Sequence, residues 1–173
     1  MASSRKKVVV RKLNRDWLAG YLPSEGFARQ GNLELLDLSG KVLILSIQQL
    51  KWVCFVRDFN SGEPQNPERL LRKNFAGRPR GEGLWLRLQL QDGDALDGLA
   101  ENNLSLLAPE GFFLTPPDLR GNTQRVWIPR SALISWEVIA VIGASARKKP
   151  LPEERPQQGD LFLPQGASPH PLL

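Results

Sequence analysis

Val8-Val9-Val10-Arg11 runs through a polar turn to Trp17-Leu18-Ala19-Gly20-Tyr21. Past a basic linker, Leu84-Trp85-Leu86-Arg87 runs through Asp92-Gly93-Asp94 to Ala95-Leu96-Asp97-Gly98-Leu99. The echo continues with the register offset by 83 residues: Ile44-Leu45-Ser46 falls on Trp127-Ile128-Pro129, Leu50 on Leu133, and Phe55-Val56 on Val138-Ile139. Self-similarity of this kind settles architecture before any single residue is considered. It predicts two small units in tandem within 173 residues, each near the lower size at which a chain folds alone.

Within the first unit the punctuation is that of strands. Lys7 to Leu13 is apolar and β-branched, Asn14-Arg15-Asp16 is turn chemistry, and Trp17 to Leu22 reads as the second arm of a hairpin. Leu33 to Leu38 is a third strand, and Ser39-Gly40-Lys41 turns into Val42 to Leu45. Ser46 to Leu50 reads as one helical turn, and Lys51 to Phe59 as the fifth strand. The second unit repeats the design: Leu84 to Leu90 partly alternates, Asp92-Gly93 is a hairpin turn, and Asn103 to Leu107, Gly111 to Thr115, Val126 to Ile128 and Ser135 to Ile142 follow as strands. Short strands with tight turns predict small, strongly bent antiparallel barrels rather than βαβ units. The expected organisation is a disordered basic arm (1–6), a first five-stranded barrel (7–59), a basic linker (60–83), a second five-stranded barrel (84–143) and a disordered tail (144–173). In the linker, Pro67-Glu68-Arg69-Leu70-Leu71-Arg72-Lys73 has proline at a helix start, an acid in the first turn and bases in the last, which predicts a short helix. The tail is proline-rich and too poor in apolar residues to build a core.

Composition bounds the function classes. With 41% hydrophobic and 24% charged residues the chain has an ordinary globular balance. No apolar run approaches the roughly 20 residues that span a bilayer, and the N-terminal Met-Ala-Ser-Ser-Arg-Lys-Lys lacks the apolar segment of a secretory signal, so the cytoplasm is the expected compartment and no membrane partner is expected. The net charge of +5 is unevenly placed. Residues 1–12 hold five bases and no acid, whereas residues 13–143 hold 14 bases against 15 acids. The other basic concentration is the linker set Arg69, Arg72, Lys73, Arg78 and Arg80, a candidate nucleic-acid contact because clustered cations release counterions from a polyphosphate.

Phe55-Val56-Arg57-Asp58-Phe59 and Gly111-Phe112-Phe113-Leu114-Thr115-Pro116-Pro117-Asp118, followed by Asn122-Thr123-Gln124-Arg125-Val126, resemble a bacterial domain family without an established activity. The resemblance covers about residues 7–142. It implies small barrels of Sm-like or SH3-like shape, often in tandem and sometimes in one chain with a PilZ domain. The PilZ signatures for cyclic-di-GMP, RxxxR and D/NxSxxG, are not assembled here, so that ligand does not carry over.

Reactive chemistry is sparse. The single histidine, His170, lies in the tail, which leaves no Ser-His-Asp or Cys-His arrangement for the folded part. One Cys and one His make no zinc site. Asp92, Asp94 and Asp97 lack the spacing of a calcium loop, and two of them bracket a hairpin glycine, so a turn is expected rather than a metal loop. Cys54, inside Trp52-Val53-Cys54-Phe55-Val56, reads as a small buried hydrophobe. No enzyme, cofactor or metal is expected. Arg57-Asp58 interrupts an apolar run at a strand end, which suits either a structural ion pair or a ligand contact. In the tail, Gln158-Gly159-Asp160-Leu161-Phe162 resembles the bacterial sliding-clamp binding motif, with Gln158 and Asp160 polar and Leu161 and Phe162 as adjacent apolar anchors. The expected function is a non-catalytic cytoplasmic binding or adaptor protein with a protein partner. A replication or repair accessory on the sliding clamp and an RNA or DNA binder are the alternatives.

Overall fold

The computed structural model of the chain describes residues 5–60, 62–118 and 120–143. Among these residues are eleven strands: β1 (Arg5–Lys12), β2 (Trp17–Pro23), β3 (Ala28–Arg29), β4 (Asn32–Asp37), β5 (Val42–Ser46), β6 (Leu50–Val56), β7 (Gly83–Leu90), β8 (Ala95–Ala100), β9 (Gly111–Leu114), β10 (Thr123–Pro129) and β11 (Leu133–Ile142). The helical elements among the described residues are three 3-10 turns, Ile47–Gln49, Leu104–Leu107 and Arg130–Ala132.

The two halves follow one pairing order. In the first, β1 pairs with β2 and β6, β2 with β4, and β4 with β5. In the second, β7 pairs with β8 and β11, and β9 with β10. Leu99 beside β9 exchanges two backbone hydrogen bonds with Thr115, at 3.0 and 2.8 Å. Registers match too. Gly20 stands opposite Val8, and Gly98 opposite Leu86. Each glycine lies where a Cβ would meet the facing strand, at Leu35 and Leu36 in one half and at Leu114 and Thr115 in the other. Both hairpin turns place a residue at positive φ, Arg15 at 75° and Gly93 at 87°, a conformation that Gly adopts freely and Arg does not.

The halves share a sheet. β6 pairs antiparallel with β10 as well as with β1, setting Val53 opposite Trp127 and Cys54 opposite Val126. The larger sheet runs β3-β4-β2-β1-β6-β10-β9 with β5 on the far side of β4, and the smaller runs β11-β7-β8. This junction explains why the apolar runs of β1 and β6 do not alternate. Val8, Val10, Val53 and Phe55 enter one core together with Leu22, Leu33 and Leu50. Val9, Trp52, Cys54 and Val56 enter the other with Leu86, Leu88, Leu96 and Ile128. A strand covered on both faces carries apolar side chains at every position, each contributing about 1.5–3 kcal/mol when fully buried.

Several expectations are corrected. The sheets do not close into barrels; in the first half closure would require β5 to reach β6, whose second edge β10 already occupies. The linker helix is absent: Arg69 sits at φ 47°, outside the helical region. The segment runs instead as a strap tied down by Asn122 Nδ2, which donates to Pro67 O at 2.8 Å, and by Thr123 Oγ1, which donates to Glu68 O. Asn103 to Leu107 is a 3-10 turn, not a strand, because the Asn103 side chain caps it by accepting from the Ser105 N–H at 2.9 Å. β1 begins at Arg5, inside the expected arm. Leu50 and Leu133 both follow a 3-10 turn, yet Leu50 is fully buried and Leu133 only partly. No helix among the described residues is long and apolar enough to cross a membrane.

Candidate binding cleft

A bulge decides where β6 puts its only charged side chain. Lys12 faces Leu50 and Arg11 faces Trp52, so Lys51 is the extra residue of the strand. Bulges re-aim side chains. Here Lys51 and Trp52, neighbours that would point apart on a regular strand, line the same cleft, with Lys51 Nζ 4.3 Å from the Trp52 ring centre.

The cleft, of about 830 Å³, lies among the β1–β2 turn, the strap and the β7–β8 turn. Lys51 Nζ donates to both Asp92 and Asp94, and Lys73 Nζ of the strap reaches Asp94 at 2.8 Å. Across the opening, Arg11 grips Glu68 with two bonds, Nε to Oε1 at 3.0 Å and Nη2 to Oε2 at 2.6 Å. The same guanidinium donates to the backbone oxygens of Arg15 and Gln65, so one side chain fastens the strap to the first hairpin. Glu68 is 3% exposed. A carboxylate at that depth is tolerable because its partner is a planar, two-pronged donor. Trp17 forms part of the wall and is 38% exposed. Trp52 Nε1 is buried and has no hydrogen-bond partner.

Burial pushes the Asp94 carboxyl up, but hydrogen bonds from Lys51 and Lys73 outweigh it and hold it below its ordinary value. A carboxyl depressed on folding contributes stability that is complete above its unfolded pKa and is lost as pH falls through the folded one. Stability is therefore expected to decline as pH drops below about 4, and Asp94→Asn is expected to flatten part of that decline. Asp37 and Asp58, also depressed, act in the same direction. Denaturant midpoints across the acid range measure this, and identical acid slopes for wild type and Asp94→Asn would show that Asp94 is not among the groups responsible.

The sequence-derived candidates scatter. Of the linker set only Lys73 lines the cleft; Arg69 pairs with Glu63 at 3.5 Å, and Arg72, Arg78 and Arg80 are exposed on the strap. Arg57 and Asp58 lie at the end of β6 and are exposed. Their backbones are bound by Asn122, whose carbonyl oxygen accepts from the Arg57 N–H at 3.0 Å and whose side chain bonds both N–H and C=O of Asp58. The Asp58 carboxyl accepts from the Phe59 N–H and from Lys7, which lowers its pKa. Gln158, Asp160, Leu161 and Phe162 lie outside the described residues. Cys54 is fully buried, and burial pushes its thiol well above the ordinary value. Among the described residues no cluster of three or more His, Cys, Asp or Glu is placed to hold a metal. Phe112 and Trp127 are core residues, while Trp136 is 39% exposed.

Sequence reading passed over Arg11, Lys51, Trp52 and Glu68. One signal was available: a single lysine inside the run Leu50-Lys51-Trp52-Val53-Cys54-Phe55-Val56, which requires an acidic partner if the strand is buried.

Fold and cleft together define a mainly β protein with two antiparallel sheets, the larger one built across the two halves and opened beside its β6·β10 pairing into an ion-paired cleft. Residues 4–140 match the profile described as Family of unknown function (DUF6982), and the chain belongs to that family. No curated protein and no solved structure matches it.

Proposed function

We propose that this protein is a non-catalytic adaptor of the cytoplasm, a tandem pair of Sm-like or SH3-like small β units whose cleft holds one polypeptide partner and whose C-terminal segment presents a docking peptide to another. The matched strand order and registers of the halves support the tandem part. One observation carries the binding part. Arg11, Lys51 and Lys73 have carboxylate partners inside the cleft, and Trp17 on its wall stays 38% exposed. An aromatic face left partly open in a cleft gains apolar burial when a chain enters. Paired charges hold the walls, and the half-exposed Trp17 recognises. That equipment selects and retains a ligand; it does not activate one.

The second contact is the tail sequence Gln158-Gly159-Asp160-Leu161-Phe162, for which a bacterial sliding clamp is the candidate partner. A labelled peptide spanning Pro156 to Pro164 is expected to bind the clamp in the micromolar range, about 8 kcal/mol. Replacing Leu161 and Phe162 together by Ala is expected to abolish binding, since two buried apolar anchors supply several kcal/mol of that total. Fluorescence anisotropy reads it directly. No saturation up to millimolar clamp would remove the clamp as partner. The same titration with an oligonucleotide and full-length protein tests the nucleic-acid alternative through Arg72, Arg78 and Arg80, which predicts affinity falling steeply with salt.

A further inference from the structure

The β6·β10 joint is made from two different strand types, and the chain carries one more of each with an outer edge that no described residue pairs. β6 is the strand after a 3-10 turn and pairs with the first strand of its half; β11 is its counterpart, following Arg130–Ala132 and pairing with β7. β10 is the strand before a 3-10 turn; its counterpart is β5, which pairs only with β4 among the described residues. One joint is made internally. The halves of a second stand at β11 and β5.

Both edges are unusually bare. β5 is Val42-Leu43-Ile44-Leu45-Ser46, without charge or proline, with Val42 59% and Ile44 70% exposed. β11 runs ten residues with Glu137 as its only charge, and Ile134, Val138 and Val141 are 65%, 48% and 62% exposed. Edge strands of soluble proteins ordinarily carry lysine, proline or other charges that deter pairing. We infer that the chain assembles head to tail with further copies of itself, β11 of one copy adding antiparallel to β5 of the next in the register of the internal joint.

That register makes specific contacts. β6 sets Val53 against Trp127 and Phe55 against Arg125. Val53 lies opposite Val10 and Trp136 opposite Leu88, at matching places in the two first-strand pairings. Trp127 lies opposite Phe113 and Ile44 opposite Glu34, at matching places on the other side. The new joint therefore sets Trp136 against Ile44 and Val138 against Val42. Ser135 and Glu137 stand where β6 has Trp52 and Cys54, so this joint is more polar than the internal one and assembly is concentration-dependent. Because the two edges differ in kind, the contact is heterologous and propagates into a ring or a filament.

The inference rests on the shared pairing order of the halves, not on the cleft or the tail, so its failure would leave the binding reading standing. Light scattering of the full chain from micromolar to millimolar concentration is expected to show mass rising in whole-copy steps. Ile44→Lys and Val138→Lys, each alone, are expected to weaken association by an order of magnitude or more. Mixed in equal amounts they are expected to form a two-copy species and nothing larger, because each supplies the edge the other lacks. Both side chains are exposed, so unchanged melting is expected; Val42→Lys and Ile134→Lys provide a second pair should either variant melt early. Constant monomer mass for wild type, or a mixture that forms no two-copy species, would overturn the inference. So would amide-exchange protection of the β5 and β11 edges in dilute monomer, which would mean that a segment of the same chain covers them.

Discussion

Replacing Trp127 by Ala is expected to cost about 3–5 kcal/mol of folding stability, the usual range for deleting a buried aromatic side chain. Trp127 is 4% exposed and belongs by sequence to the second half, on β10. Its ring nevertheless lies in the core of the first, among Val8, Val10, Leu22, Leu33, Leu50 and Val53. It meets Phe27 edge-on at 5.3 Å, and Phe27 in turn contacts Phe55 and Phe113. The cavity would open inside the first half while the deleted atoms come from the second. Urea denaturation followed by tryptophan fluorescence is therefore expected to show one transition displaced as a whole, since the halves share this core and the β6·β10 ladder. If the transition split, with one phase unmoved, the halves would be independent units and the shared-core description would fail.

The second large effect belongs to a glycine in an extended strand. A Cβ at Gly20 would sit 2.5 Å from the Leu36 carbonyl oxygen and 2.8 Å from a Leu35 methyl carbon. A carbonyl in a paired strand cannot swing aside as a flexible side chain can. Gly20→Ala therefore has to part β2 from β4, where Gly20 faces Asp37 and Tyr21 faces Leu36. The expected loss is about 3 kcal/mol or more, in the upper range of overpacking. Two controls give the scale. Gly98, the matching residue of β8, would place its Cβ 3.0 Å from a Leu114 side chain and 3.2 Å from Thr115 O, and Gly98→Ala is expected to cost about 1–2 kcal/mol. Gly40, at φ 84° with nothing within 4 Å, has only its backbone conformation to lose, about 1 kcal/mol. Melting temperatures in the order Gly20→Ala lowest, then Gly98→Ala, then Gly40→Ala would bear out the close crossing; equal values for Gly20→Ala and Gly40→Ala would refute it.

The legibility of the chain was uneven for identifiable reasons. Asp92-Gly93 announced its hairpin because Gly at positive φ is a local preference, whereas the equivalent turn at Arg15 was readable only from its polar neighbours. Asn103 to Leu107 misled because Leu104, Leu106 and Leu107 suit a strand, while the cap that makes the segment a turn is one side-chain hydrogen bond. The helix expected from Pro67 failed because the carbonyls of Pro67 and Glu68 are held by Asn122 and Thr123, more than fifty residues away. Tertiary hydrogen bonds override a weak local propensity.

The sequence by itself determined that the chain is mainly β, where most strands and turns lie, and that two stretches echo each other, because periodicity and turn chemistry act over a few residues. Only the tertiary structure decided that β6 pairs with β10, that the sheets stay open, and that Lys51, Asp92, Asp94 and Lys73 meet in one cleft. Those outcomes depend on which of several similar apolar strands lie side by side, and on a bulge that turns one lysine toward a distant hairpin. Strand partnership between segments seventy residues apart is a competition among nearly equivalent edges, and the packing of the whole chain settles it.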